Sequence, residues 1–239
     1  MTRFLATTAL LMLPITAMAD GMDEDRIKEL VLEAIRENPG IVFEAAQLFE
    51  EQQQALQEQA AAQVLDTEKA TLENDPNAPV LGNPDGDVTV VEFFDYNCPY
   101  CRRVKPEMEA LLAADPNVRV VYREWPILGD GSVFAARAAL ASRNQGKYEE
   151  FHWAMMQLKE RAEEASILRT AEDIGLDVAQ LRRDMNAPEI EEHIQTSMRL
   201  AQSLGFSGTP SFVIGDSLAP GLIQADQMIE LIDQARAAE

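Results

Sequence analysis

A chain of 239 residues, 46% hydrophobic and 26% charged, is long enough for one substantial core plus an appended segment, and its composition is neither disordered nor fibrous. With 41 acidic against 20 basic side chains the formal charge is −21, which disfavours nucleic acid and anionic lipid as partners. Two cysteines, Cys98 and Cys101, are the chain's whole complement, so no separate structural disulfide can form within it.

The first 19 residues carry Arg3, an apolar run from Phe4 to about Thr16, and then Ala17-Met18-Ala19, a small-x-small cleavage pattern. They read as a signal peptide cut after Ala19, placing the mature chain in the periplasm. An uncleaved membrane anchor needs about 20 apolar residues, and this run is shorter and contains Pro14. No cysteine stands near the cut for a lipid anchor. Cleavage leaves 19 basic against 41 acidic residues, a formal charge of about −22. Export would put the cysteine pair in an oxidising compartment, where disulfides persist.

From Asp20 to Asn38, apolar residues at helical spacing (Ile27, Leu30, Val31, Ala34, Ile35) predict a short amphipathic helix, stopped by Asn38-Pro39-Gly40. A longer helix is expected from Ile41 to about Leu72, with a thin apolar row at Val42, Ala46, Phe49, Leu56 and Ala60. Such a row lies on the main domain, pairs with copies of itself through a weak heptad, or belongs to a solvated spacer. Asn74-Asp75-Pro76-Asn77-Ala78-Pro79 reads as a linker. The expected division is therefore a helical extension over 20–75, a possible oligomerisation stalk, followed by one domain over 76–239.

After a turn at 82–87, the β-branched and aromatic run Val88 to Phe94 predicts a buried central strand. A helix follows from the cysteine motif through Met108, Leu111 and Leu112, and Val118 to Tyr122 supplies the next strand, a βαβ unit. Between Ser132 and Leu204 only helical segments are expected. Ser132 can cap the first, Asp177 with Gln180 suggests a capping box, Pro188 suits a first turn and Gly205 follows an end. The sheet resumes at Ser211 to Ile214, and a helix around Met228, Leu231 and Ile232 closes the chain. The fold class is α/β with an inserted helical module.

Cys98-Pro99-Tyr100-Cys101 falls where strand turns to helix. Cysteines three apart on a first turn are neighbours and can meet disulfide geometry. Cys98 faces unpaired amide N–H groups and the positive end of the helix dipole, which favour its thiolate. It is the expected nucleophile, with Cys101, one turn in, as the resolving thiol. Zinc needs about four ligands, and only His152 and His193 remain beside the pair, 41 positions apart. An inert disulfide is allowed geometrically but closes too short a loop to stabilise much. Glu92, an acid in an apolar strand six residues before Cys98, sits either beneath the pair with a raised pKa, relaying the resolving thiol's proton, or at a solvent-facing strand end. Asp95 reads as a turn residue, and Arg102, Arg103 and Lys105 either add positive potential near Cys98 or, the favoured reading, form a solvated helix face. Thr209-Pro210 precedes a strand, where proline is awkward unless it starts the strand in a special geometry.

Taken in order, the strand, the Cys98–Cys101 motif, the helical insert and Thr209-Pro210 resemble the DsbA family of thioredoxin-fold oxidoreductases. The resemblance rests on Val91-Glu92-Phe93-Phe94-Asp95-Tyr96-Asn97-Cys98, on Arg123-Glu124-Trp125-Pro126-Ile127-Leu128-Gly129 and on Gly208-Thr209-Pro210-Ser211-Phe212-Val213-Ile214-Gly215, and covers about Val80 to the C-terminus. Glu37-Asn38-Pro39-Gly40-Ile41-Val42-Phe43-Glu44-Ala45 resembles the extension of the ScsC-like subgroup, periplasmic proteins linked to copper tolerance. The resemblance implies a thioredoxin-like fold, Cys98 as nucleophile, Cys101 as resolving thiol, Glu92 as buried acid and Thr209-Pro210 as a cis-proline loop beside the disulfide. Pro99-Tyr100 departs from the Pro-His of strongly oxidising members.

The expected function is periplasmic thiol–disulfide exchange with exported cysteine-containing proteins. The expected redox partner is a DsbB-like or DsbD-like membrane protein, and the redox-active Cys98–Cys101 disulfide is the sole cofactor. The competing function is periplasmic copper binding through the same soft thiolates.

Overall fold

The computed structural model describes residues 23–238, so the leader over 1–19 lies outside the described residues. In chain order the elements are α1 (Glu24–Glu37), α2 (Gly40–Asn74), β1 (Val80–Gly82), β2 (Val88–Phe94), α3 (Pro99–Ala114) and β3 (Val118–Glu124). They continue with α4 (Asp130–Ser142), α5 (Tyr148–Met156), α6 (Glu164–Asp173), α7 (Val178–Asp184), α8 (Pro188–Ser203), β4 (Ser211–Ile214), β5 (Ser217–Pro220) and α9 (Ala225–Ala238).

The strands form one mixed sheet in the order β1-β3-β2-β4-β5. β2 and β3 run parallel, with α3 as their crossover, while β1, β4 and β5 are each antiparallel to their neighbours. Strand alternation gives the two faces different cores. Val88, Val90, Phe94, Val120, Tyr122, Phe212 and Ile214 pack with Val104, Met108 and Leu111 of α3, Met228 and Ile232 of α9, and the insert. Val91, Phe93, Val121 and Val213 pack with Leu65 and Leu72 of α2, Leu200 of α8 and Leu204 just past its end. Both faces of β2 are thereby covered, which is why it reads as a β-branched and aromatic run interrupted only by Glu92. This is a thioredoxin-like fold whose helical insert, α4 to α8, occupies Asp130–Ser203.

The division of the chain differs from the sequence expectation. Two compact units meet between Gln54 and Ala55, inside α2, and not at the 74–79 segment. In the first unit α1 has acidic residues in its first turn and Arg36 in its last, matching its dipole. It buries none of its residues. Pro39 disfavours helical geometry at Asn38 and separates α1 from α2. In the second unit Ala61, Leu65 and Leu72 are buried. The supposed linker is fixed by Asp75, whose carboxylate lies 2.6 Å from the guanidinium of fully buried Arg123. Arg123 also donates to the Thr71 carbonyl and, at 3.2 Å, to that of Leu72, satisfying C-terminal carbonyls of α2.

Capping also differs in detail. α4 begins at Asp130 with Gly129 before it, so Ser132 lies within its first turn and donates its hydroxyl to Asp95. Asp177 does cap α7 by accepting the Gln180 N–H, but the reciprocal box is formed by Glu163 and Ser166 at α6.

Candidate functional site

The end of β2 delivers the chain into α3, with Cys98 as the residue before the helix and Pro99 at its first position. Pro99 contributes a fixed φ where no N–H is needed. Both thiols are free; Cys98 is 4% exposed and Cys101 1%. The Cys98 thiol donates to the carbonyl of Thr209 at 3.1 Å, and the Thr209–Pro210 peptide is cis. The fold thus brings together the two cysteines and Thr209-Pro210 from opposite ends of the domain.

The two sulfurs are polarised in opposite senses. A hydrogen bond from the Cys101 thiol is the main influence drawing Cys98 down, to about 5; burial opposes it, and Thr209 and the N–H groups of Cys101 and Tyr100 add to it. Cys101 is pushed well above its ordinary value by burial first, and then by its bond to Cys98 and the charges of Glu92 and Cys98. One thiol is therefore ionised at neutral pH, its contact with the Thr209 carbonyl being a hydrogen bond only in the protonated form, while the other keeps its proton.

Glu92 lies between its register partners Tyr122 on β3 and Phe212 on β4, on the sheet face that packs against α3. It is 2% exposed, which settles its position in favour of burial beneath the pair. Burial, and next the Cys98 charge, raise its pKa to about 8. A carboxyl titrating there can both take and return a proton near neutral pH.

Three groups near the pair have larger roles than the sequence suggested. Asp95 is no plain turn residue: it is buried and accepts hydrogen bonds from Asn97, Ile127, Leu128 and Ser132. Its signal was an acid directly after an almost fully buried strand. Arg102 is held by the carbonyls of Tyr96 and Leu158, at 2.9 and 2.8 Å, and does not belong to a solvated face. Glu124, another acid ending a buried strand, accepts from Tyr96 and Tyr148, and Tyr96 also meets Nδ1 of His152 at 3.0 Å. Burial holds Glu124 well above the carboxylate range and His152 down to about 3, so both are neutral packing partners at ordinary pH.

Beside the cysteines an open apolar cleft is lined by Tyr100, Ser207, Thr209, Pro210, Pro220 and Leu222. Its place next to Cys98 gives an extended segment room to reach the sulfur. Among the described residues no group of three or more His, Cys, Asp or Glu side chains is arranged to hold a metal.

Comparison with known proteins agrees with this geometry. Residues 89–233 match the family model described as a DSBA-like thioredoxin domain. A thioredoxin-like oxidoreductase from Silicibacter pomeroyi DSS-3 is 64% identical, with a TM-score of 0.71, over 72% of this chain and 99% of that one. A linker-deletion variant of Proteus mirabilis ScsC is 27% identical, with a TM-score of 0.70, over 94% of this chain and all of that one. Among curated sequences, the Na(+)/H(+) antiporter NhaA 3 of Salinispora tropica is 32% identical over 137 residues, 56% of this chain. The chain spans only 21% of that relative's length, and no helix among the described residues is long and apolar enough to cross a membrane. The matched domain, the thioredoxin-like sheet and the cysteine pair at the start of α3 together show that this chain belongs to the DsbA family of thioredoxin-fold thiol–disulfide oxidoreductases.

Proposed function

We propose that the protein is a periplasmic thiol–disulfide oxidoreductase that exchanges disulfides with exported cysteine-containing proteins through Cys98. The observation that carries this reading is the opposite polarisation of neighbouring thiols, with Cys98 drawn to about 5 and Cys101 pushed well up. In the reducing direction the Cys98 thiolate attacks a substrate disulfide, forming a mixed disulfide and releasing one substrate thiolate. Cys101 then loses its proton to ionised Glu92 and attacks Cys98 Sγ, expelling the second substrate thiolate. The pair ends as a disulfide, having given up two electrons. In the oxidising direction a substrate thiolate opens the Cys98–Cys101 disulfide, and neutral Glu92 returns the proton to Cys101. The cleft at Thr209-Pro210 would seat the substrate segment. The leader-like pattern ending at Ala19 supports export.

Direction depends on potential. A stabilised Cys98 thiolate favours the reduced form and so makes the pair more oxidising. The deciding experiment is the equilibrium reduction potential of the mature protein against glutathione. A value near about −120 mV assigns an oxidase served by a DsbB-like membrane partner; one near or below about −200 mV assigns an isomerase or reductase served by a DsbD-like partner. Failure of the pair to cycle, together with stoichiometric copper uptake under anaerobic conditions, would replace this reading with copper binding.

The extension favours the isomerase or reductase branch. Ile27, Val31, Val42, Phe43, Leu48 and Phe49 are exposed, more large apolar surface than a solvated spacer carries. Self-association of these helices into a homo-oligomer would cover it.

A further inference from the structure

Asp95 touches the reactive turn with its backbone and the helical insert with its side chain. Its carbonyl accepts the Cys98 N–H at 3.0 Å, and its own N–H bonds toward the Cys101 sulfur, lowering that thiol's pKa against the larger effect of burial. Its Oδ1 accepts the Asn97 N–H and the Ser132 hydroxyl, each at 2.7 Å. Its Oδ2 accepts the N–H groups of Ile127 and Leu128, at 2.8 and 3.0 Å. Each oxygen serves two neutral donors, so an amide nitrogen in place of either oxygen would set a donor against donors.

The partners belong to the insert and its entry. Ile127 and Leu128 lead into α4, and Ser132 lies in its first turn. Asn97 extends the same network: its Nδ2 donates to Ser132 Oγ and to the Ala162 carbonyl, both at 3.1 Å, and its Oδ1 accepts the Ala162 N–H at 2.8 Å. The contact is close-packed as well as polar. A Cβ on Gly131 would come within 2.3 Å of the Ala162 carbonyl, so only glycine lets α4 approach there.

We propose that Asp95 is a positioning residue through which the helical insert fixes the cysteine turn, holding Cys98 against the helix amides. Buried charge-assisted hydrogen bonds are among the stronger ones available. Four of them converging on one side chain make the turn and the insert a single rigid piece. The insert then acts on the dithiol by keeping its first turn in register. This role rests on the thiol–disulfide reading above.

The test is titration of the Cys98 thiolate by ultraviolet absorbance in the reduced full-length mature protein, its Asp95→Asn variant and its Ser132→Ala variant, with thermal unfolding alongside. Removing a nearby negative charge alone would stabilise the thiolate and move the titration down. Loss of positioning moves it up, because the hydrogen bonds that hold the thiolate lose their geometry. The expected result is an upward move in both variants, with about a tenfold loss of thiolate in Asp95→Asn at a pH below the titration and a smaller loss in Ser132→Ala. A downward move in Asp95→Asn, or variants that lose thermal stability while titrating as the parent does, would overturn the proposal. Should Asp95→Asn fail to fold, Ser132→Ala decides alone, since it leaves the Asp95 charge in place. A parent that itself shows no low-titrating thiolate would instead sink the activation of Cys98 on which the functional reading stands.

Discussion

Cys98 Sγ and the carbonyl oxygen of Thr209 lie 3.1 Å apart, although 111 residues separate them in the chain. The contact places the nucleophile against the loop that borders the apolar cleft, so a substrate entering there meets sulfur and loop together. It also divides labour within Thr209: the carbonyl accepts from the thiol, while the side chain favours the thiolate.

Thr209→Val separates these roles, since it removes the hydroxyl and keeps the carbonyl and the β-branched shape. A lost hydrogen bond to an ionised group is worth about 1.5–3 kcal/mol, roughly a tenfold to hundredfold change in the ionisation equilibrium. The Cys98 titration should move up by that amount, with thermal stability nearly unchanged. A titration identical to the parent's would show that Cys101 and the helix amides hold the thiolate unaided.

Glu92→Gln tests the buried acid through both rate and stability. Glutamine keeps the volume but moves no proton, so resolution of a mixed disulfide at Cys98 should slow by about a hundredfold and lose its pH dependence near 8. Stopped-flow release of a fluorescent peptide from the mixed disulfide reads this directly. Stability gives an independent sign. The folded protein keeps the Glu92 proton up to about 8, whereas the unfolded chain releases it near 4.5. The folded state therefore binds more protons in that window, and this group's contribution to stability falls as pH rises through it. The fall should be on the order of a few kcal/mol and absent from Glu92→Gln in urea titrations of the oxidised and reduced forms. Equal pH slopes for parent and variant would mean that Glu92 is hydrated and cannot serve the relay.

What the sequence made visible follows from how strongly each feature is patterned. β2 was legible over its full length because burial on both faces writes a β-branched and aromatic run from Val88 to Phe94, interrupted only by Glu92. The helical insert was legible from its caps and spacing, with Pro188 at the first position of α8 and Gly205 just past its end. β1 and β5 were missed because three or four residues show no periodicity, and β5 ends in Pro220 at the sheet edge. Asp95 does open the expected turn, but its anchoring role was not legible, because an Asx turn and a buried four-bond anchor begin with the same residue type in the same place. The decisive partners, Ile127, Leu128 and Ser132, lie more than thirty positions away.

The division of the chain was misread for a related reason. A thin helical stripe does not say what covers it, and along α2 the cover changes: Val42, Phe49 and Leu56 are exposed, whereas Ala61, Leu65 and Leu72 are buried. The loop after the helix looks like a linker by composition, yet Asp75 is held well below the usual carboxylate range despite burial, by His193, the Asn77 N–H and Arg123. Two truncations test the corrected boundary. A mature chain beginning at Ala55 keeps the buried half of α2 and should remain folded, titrate at Cys98 as the full chain does, and sediment as a monomer where the full mature chain sediments as an oligomer. A chain beginning at Pro76 loses Leu65 and Leu72, at about 2–5 kcal/mol each. It also leaves the Arg123 charge buried without its partner, at about 3–5 kcal/mol. Together these come to about 7–15 kcal/mol, the size of the roughly 5–15 kcal/mol that holds a domain folded, so the Pro76 chain should lack a cooperative unfolding transition. A folded Pro76 chain would restore the boundary to the 74–79 segment, and a monomeric full-length chain would remove self-association as the reason for the exposed apolar residues of the extension.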